Sequence, residues 1–186
     1  MKILEKKIEK EFPFSWVDLD YYPESKGKRT EIYLLNTSRD SENTSELILL
    51  FNKLFGELRN NIFIYNKSWW DFCLDSWNIY NEKDDYSFNN KSDETKDYFN
   101  LLIDSHIEMG FGGSCKCLNW NAFFNILLPC ILTHKAPYSP LFYHCENDFF
   151  FYFHHTESIG LYFREYNIEI HKIIKTAKEY YELKMF

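Results

Sequence analysis

The chain has 186 residues and a formal net charge of −7, from 21 Lys and Arg against 28 Asp and Glu. That length predicts one globular domain over residues 1–186, able to bury a core without disulfide or metal support. The acidic balance argues against nucleic-acid binding, which needs clustered Lys and Arg to neutralise phosphates. No apolar run approaches the roughly 20 residues of a membrane-spanning helix. Aromatic residues (18 Phe, 14 Tyr, 5 Trp) make up 20% of the chain, and this excess beside the acidity is its most informative feature. Five cysteines without a framework spacing argue against a disulfide-stapled secreted fold. Residues 1–10 lack the apolar core of a secretory signal, so a reducing cytoplasm is the expected location.

In chain order, Ile3, Leu4, Ile8 and Phe12 fall about one helical turn apart and predict a short amphipathic helix ended by Pro13. Residues Thr30 to Leu35 are β-branched and aromatic and read as a strand. Ser41 to Asn60 predicts a helix capped by Thr44 or Ser45, with Leu47, Leu50, Phe51, Leu54, Phe55 and Leu58 on its apolar face. Ser68 to Tyr80 also has a helical period, crowding Trp69, Trp70, Phe72, Cys73, Trp77 and Tyr80 together, with Asp71 and Asp75 on one side.

Asn81 to Asp97 holds six acids (Glu82, Asp84, Asp85, Asp93, Glu94, Asp97) and almost no apolar residues, which predicts an exposed acidic loop. Tyr98 to Ile107 reads as a buried strand or short helix, broken by the glycines from Gly110. Leu118 to His134 predicts an apolar helix kinked near Pro129. Phe149 to His155 and Ile159 to Tyr166 predict a hairpin, and Asn167 to Met185 a closing amphipathic helix. The whole is an α+β pattern: helices packed on a small antiparallel sheet, with a C-terminal hairpin and closing helix.

Chemistry-bearing clusters are few. Cys115, Cys117, Cys130 and His134 supply the residue types of a three-Cys, one-His zinc site, but one residue between Cys115 and Cys117 is a poor chelate spacing, so no metal and no cofactor is assigned. Buried cysteines are the plainer reading. Cys115 with His154 or His155 forms the alternative, a small hydrolase or transferase, with Glu157 and the set His144, Cys145 and Glu146 as further acid–base candidates. Adjacent histidines at a strand end are expected to point to opposite faces, so both cannot serve one substrate. The glycines from Gly110 lack the Gly-Lys-Ser/Thr of a phosphate loop, leaving no residue assigned as catalytic.

The aromatic excess beside an acidic segment is the pattern of a surface for a basic protein partner. Acids steer the encounter, and Tyr and Trp anchor the complex. The candidate contacts are Trp69, Trp70, Asp71, Asp75, Glu82, Asp84, Asp85, Asp93, Glu94 and Asp97. Acidity is concentrated there: residues 1–97 carry net −5 and residues 98–186 net −2.

The segment from Phe149 through His154, His155, Ile159 and Gly160 to Phe163, with the final helix, resembles C-terminal segments of the immunity proteins that bacteria encode beside polymorphic or contact-dependent toxins. The resemblance covers about a fifth of the chain. It implies a cytoplasmic, non-catalytic inhibitor that binds a cognate toxin domain, often a basic nuclease, by stoichiometric occlusion. A non-catalytic oligomeric interaction module is the third reading.

Overall fold

The computed structural model describes residues 1–9, 11–33, 42–80, 82–136 and 138–185. Its centre is the segment β8 (Phe149–His154), a run of aromatics in which side chains alternate between two apolar environments. Phe149, Phe151 and Phe153 join one buried cluster, while Phe150 and Tyr152 join another on the opposite face. A strand apolar on both faces must lie inside a sheet that is covered on both sides.

That sheet has eight strands in the order β1-β6-β3-β7-β8-β9-β2-β10, every pairing antiparallel. The remaining strands are β1 (Leu4–Lys6), β2 (Lys28–Tyr33), β3 (Phe63–Asn66), β6 (Gly113–Cys117), β7 (Leu141–His144), β9 (Ser158–Phe163) and β10 (Glu182–Met185). The fold is α+β as the pattern predicts, but the sheet is not small. Short strands from the N-terminal half and from the chain end enlarge it around the predicted hairpin.

That hairpin pairs His154 with Ser158 across a three-residue loop. Glu157 closes it at a φ of 60°, with its N–H donating to the His154 carbonyl. On β9, Gly160 lies under the Tyr152 ring, whose Cζ would be 2.9 Å from a Cβ there, so the ring settles flat on the strand only because that position is glycine.

Four helices cover one face: α1 (Glu42–Phe55), α2 (Asp93–Asp104), α3 (Trp120–Leu132) and α4 (Ile168–Tyr180). Ser92, Asn119 and Asn167 cap the last three, each side chain accepting a backbone N–H three residues on. α1 starts before Thr44 and Ser45, so neither is its cap, and Ser41 lies outside the described residues. Under the helices, Phe55 stacks on Phe151 at 4.1 Å and Phe151 on Phe142 at 5.0 Å. With Phe124 of α3, which packs against Phe142 at 5.8 Å, rings from two helices and two strands form one aromatic seam.

The other face is covered by residues 11–26, which have no helix beyond one 3-10 turn. Phe12, Phe14, Trp16, Val17, Leu19 and Tyr22 lie on Tyr65, Tyr143, Phe150, Tyr152 and Tyr162. Trp16 is fixed by its indole N–H, which donates to Asp148 at 2.7 Å. Among the described residues the predicted N-terminal helix is therefore absent. Ile3 and Leu4 pack under the helices, Phe12 packs on the opposite face and Ile8 is exposed, so their spacing reflects three different environments.

Other boundaries shift for similar reasons. The closing helix ends at Tyr180, and residues 182–185 pair with β2 instead of continuing it. Tyr98 to Ile107 supplies the second half of α2, with Ile107 just beyond its end. Of the predicted strand from Thr30, Leu34 and Leu35 lie outside the described residues. Among the described residues, no helix is long and apolar enough to cross a membrane.

Phe151→Ala removes the ring shared by Phe55 and Phe142, and should lower unfolding stability by about 3–5 kcal/mol. Phe12→Ala, on the half-buried cover, should cost clearly less. Urea unfolding of both variants measures the difference, and equal midpoints would place the weight of the core elsewhere.

Candidate protein-binding surface

Residues 68–92 are not the predicted helix followed by a loop. Trp69 and Trp70 are pulled into the core, where the indole N–H of Trp69 donates to the Gly113 carbonyl and that of Trp70 to the Ile107 carbonyl, each at 2.9 Å. Tyr98 in turn donates its hydroxyl to the Trp69 carbonyl at 3.0 Å. Both tryptophans are satisfied core residues and present no side chain to a partner. The crowding of aromatics marked this segment, but period alone did not say which rings face inward.

Beyond Cys73 the chain leaves the core. A 3-10 turn at Leu74–Ser76 leads into a two-stranded ribbon, β4 (Trp77–Asn78) paired with β5 (Lys83–Asp84). Four large apolar side chains are exposed within seven residues: Leu74 at 62%, Trp77 at 48%, Ile79 at 71% and Tyr80 at 90%. Scattered exposed apolar residues are ordinary, whereas these four lie close together in the chain, at the ribbon and the turn that leads into it. Trp77 and Tyr80 were in the aromatic segment yet outside the candidate contacts. Their signal was position after the last core residue of that segment.

The acids divide by role. Asp75 is structural: Oδ1 accepts from the Thr95 hydroxyl at 2.6 Å and Oδ2 from the Ser92 N–H at 3.2 Å, tying the ribbon base to the N-terminus of α2. Lys91, almost fully buried, donates to the Asp75 carbonyl and lies 3.6 Å from Asp85. Asp85 also accepts the Ser87 N–H, and these hydrogen bonds, those from Ser87 first, hold its carboxyl below the usual carboxylate range. Asp71 accepts the hydroxyls of Ser68 and Tyr86.

Glu82 and Asp84 are exposed on the ribbon itself, Glu82 at a φ of 51°. Asp93, Glu94 and Asp97 are not in a loop, because α2 begins at Asp93; the first two sit in its first turn, where the helix dipole favours them, and Asp97 is exposed one turn on. The predicted acidic loop is thus a ribbon, a connector and the start of a helix. A serine cap followed directly by two acids, Asp93 and Glu94, is the sequence signal for this helix start.

The residues of the alternative chemistry are not brought together. Cys115 is fully buried on β6, its thiol pushed up to about 12 by burial. His154 is on β8, and β3 and β7 lie between, three strand spacings of about 4.8 Å each. The histidine rings do not diverge as expected. His155 lies past the end of β8, where strand alternation stops, and its ring is 4.0 Å from that of His154 and 5.0 Å from that of His134.

His154 lines a polar cleft of about 250 Å³ with Arg29, Glu31, Tyr33, Tyr152 and Ser158. Its Nδ1 is engaged by Thr156, with the backbone N–H at 3.3 Å and the hydroxyl at 2.7 Å, and that hydroxyl is 3.2 Å from Ser158 Oγ. These are contacts of the hairpin turn. Cys130 donates its thiol to the Glu94 and Ile126 carbonyls, and His134 leaves the α3 face at a φ of 59°. Among the described residues, no group of three His, Cys, Asp or Glu side chains has the arrangement of a metal site.

No family model matches this chain, and neither a curated protein nor a solved structure shows significant similarity to it.

Asp75→Ala leaves the Thr95 hydroxyl and the Ser92 N–H without their acceptor and should cost about 1–3 kcal/mol of stability, against under about 0.5 kcal/mol for Glu82→Ala. Thermal unfolding of the two variants checks this. A second expectation concerns pH. Burial lowers the pKa of His144, which stacks on Phe149, and also that of His154, which is further lowered by His155. A histidine whose folded pKa lies below its unfolded value of about 6.5 binds fewer protons folded than unfolded. Stability is then full above that value and falls as pH drops through it. Unfolding between pH 7.5 and 5 should show this decline, reduced in His144→Gln.

Proposed function

We propose that this protein is a stoichiometric binder of a basic protein partner, of the toxin-immunity type, and that its working surface is the β4–β5 ribbon with the acids around it. The observation that carries the reading is the exposed group Leu74, Trp77, Ile79 and Tyr80 beside Glu82 and Asp84. Exposing this much apolar surface disfavours the isolated chain, and burial against a partner removes that cost. Trp and Tyr are the residue types that dominate binding energy at interface centres, and a rim of uncompensated acids accelerates encounter with a cationic surface. The polar cleft around His154 brings no cysteine to its histidine, so the geometry favours binding over the hydrolase or transferase reading.

In this reading the partner is a toxin domain with a basic active-site face, and occlusion needs no turnover. The reading expects a neighbouring gene to encode that domain, and co-expression with it is the test. The wild-type chain should restore growth and form a 1:1 complex, whereas Trp77→Ala combined with Tyr80→Ala should lose at least about thirtyfold in affinity, since even one such anchor is worth on the order of 2 kcal/mol. Absence of protection by the wild-type chain, or undiminished affinity of the double variant, would overturn it. Reversing Glu82 and Asp84 to Lys should slow association mainly, with a weaker dependence on salt. The same reversal at Asp85 would confuse the result, because Lys91 holds that carboxylate.

A further inference from the structure

Next to the ribbon base is a cavity of about 330 Å³, bounded by three parts of the chain that are distant in sequence. Tyr22 comes from the segment covering the second face, Tyr65 from β3, and Tyr138 from the approach to β7. Asp71, Phe72 and Leu74 close it on the ribbon side. Tyr22 packs edge-on against Tyr138 at 5.7 Å, so ring faces and edges meet around the space. Burial raises the pKa of Tyr22 well above the ordinary tyrosine value, and that of Tyr65 as well, so these walls stay neutral at physiological pH.

The charged side chains that line the cavity are Lys67 and Asp71. Asp71 is exposed and lines the cavity, and its two oxygens, which accept the hydroxyls of Ser68 and Tyr86, keep lone pairs for a further donor. Lys67 is the basic residue among the lining side chains, and it is ion-paired with Asp20 and lies in the field of Asp18. Asp20 offsets the Lys67 ammonium, which leaves the Asp71 carboxylate as the charge beside the set of tyrosine rings. Neutral aromatic faces with a nearby carboxylate attract a delocalised cation, and a guanidinium, planar and weakly hydrated, stacks on such faces better than an ammonium.

We infer that this cavity is the receptor for an arginine side chain of the basic partner, its guanidinium held by Asp71 and stacked among Tyr22, Tyr65 and Tyr138. The inference rests on the partner-binding reading and gives it a specific contact. Leu74 belongs both to the cavity and to the exposed apolar group, so an arginine seated here places the rest of its chain along the ribbon. The ribbon supplies apolar area, and the cavity supplies the one charged group that must be desolvated.

The test needs no partner. N-acetyl-arginine amide is titrated into the intact protein and followed by NMR, with the citrulline analogue, its uncharged isostere, as control. Arginine amide should shift the signals of Tyr22, Tyr65, Tyr138 and Leu74 with millimolar affinity, and the citrulline compound should bind at least about fivefold more weakly. Asp71→Asn should weaken arginine binding by a similar factor. Tyr138→Leu changes a half-exposed wall without touching the carboxylate and should weaken it too, with thermal unfolding confirming that both variants fold. Equal binding of the two compounds, or shifts spread over the acidic surface without the cavity, would overturn the inference. Loss of the cavity effect alongside intact toxin neutralisation removes this contact alone. Arginine binding without any neutralisation removes the immunity reading and leaves a cation-binding cavity.

Discussion

The stacking of Phe55 on Phe151, and of Phe151 on Phe142, sits where the helix layer meets the middle of the sheet. It belongs to a strand that must be dry on both sides, since β8 alternates Phe149, Phe151 and Phe153 with Phe150 and Tyr152. Helices meet the requirement on one face only. The other is closed by residues 11–26, which lack the regular ridges that a helix would supply. Broad, stiff rings fill such an irregular interface with few side chains, and Phe12, Phe14, Trp16 and Tyr22 do so against five aromatic partners. Much of the aromatic excess is therefore structural.

The same architecture determines where the working surface can be. Trp69 and Trp70 anchor the segment that follows β3 to the Gly113 and Ile107 carbonyls, and Asp75 ties the next turn to the α2 N-terminus. With its base held at these points, the ribbon projects without a core of its own. Two paired residues per strand would not persist in isolation, so the ribbon's geometry is inherited from its base. To the proposed partner this presents aromatic side chains on a pre-shaped support, which would reduce the ordering cost of binding. Cavity and ribbon share Leu74, so one docking event can use both.

Where the sequence was legible, the reason is local. The hairpin at 149–163 is written in β-formers around a short turn, and the helix over 42–55 in its apolar spacing. Where it was not, neighbours in space decided. Leu4 is a strand residue because Cys117 and its neighbours offer an edge to pair with. Trp69 and Trp77 have the same residue type eight positions apart, yet one is buried and the other half-exposed, since only the first reaches a carbonyl acceptor in the core. Asp75 and Asp84 likewise look equivalent in a list of acids, but the first is committed to Ser92 and Thr95 while the second is exposed on the ribbon.

The sequence by itself determined the α+β class, the acidic and aromatic character, and the segment that carries the candidate surface, because composition and periodicity are properties of the chain taken in order. The tertiary structure decided the width of the sheet, the inward turn of the tryptophan pair, the separation of Cys115 from His154, and the cavity among Tyr22, Tyr65 and Tyr138. Those depend on which distant segments become neighbours, and strand pairing and burial settle that only once the whole core has closed.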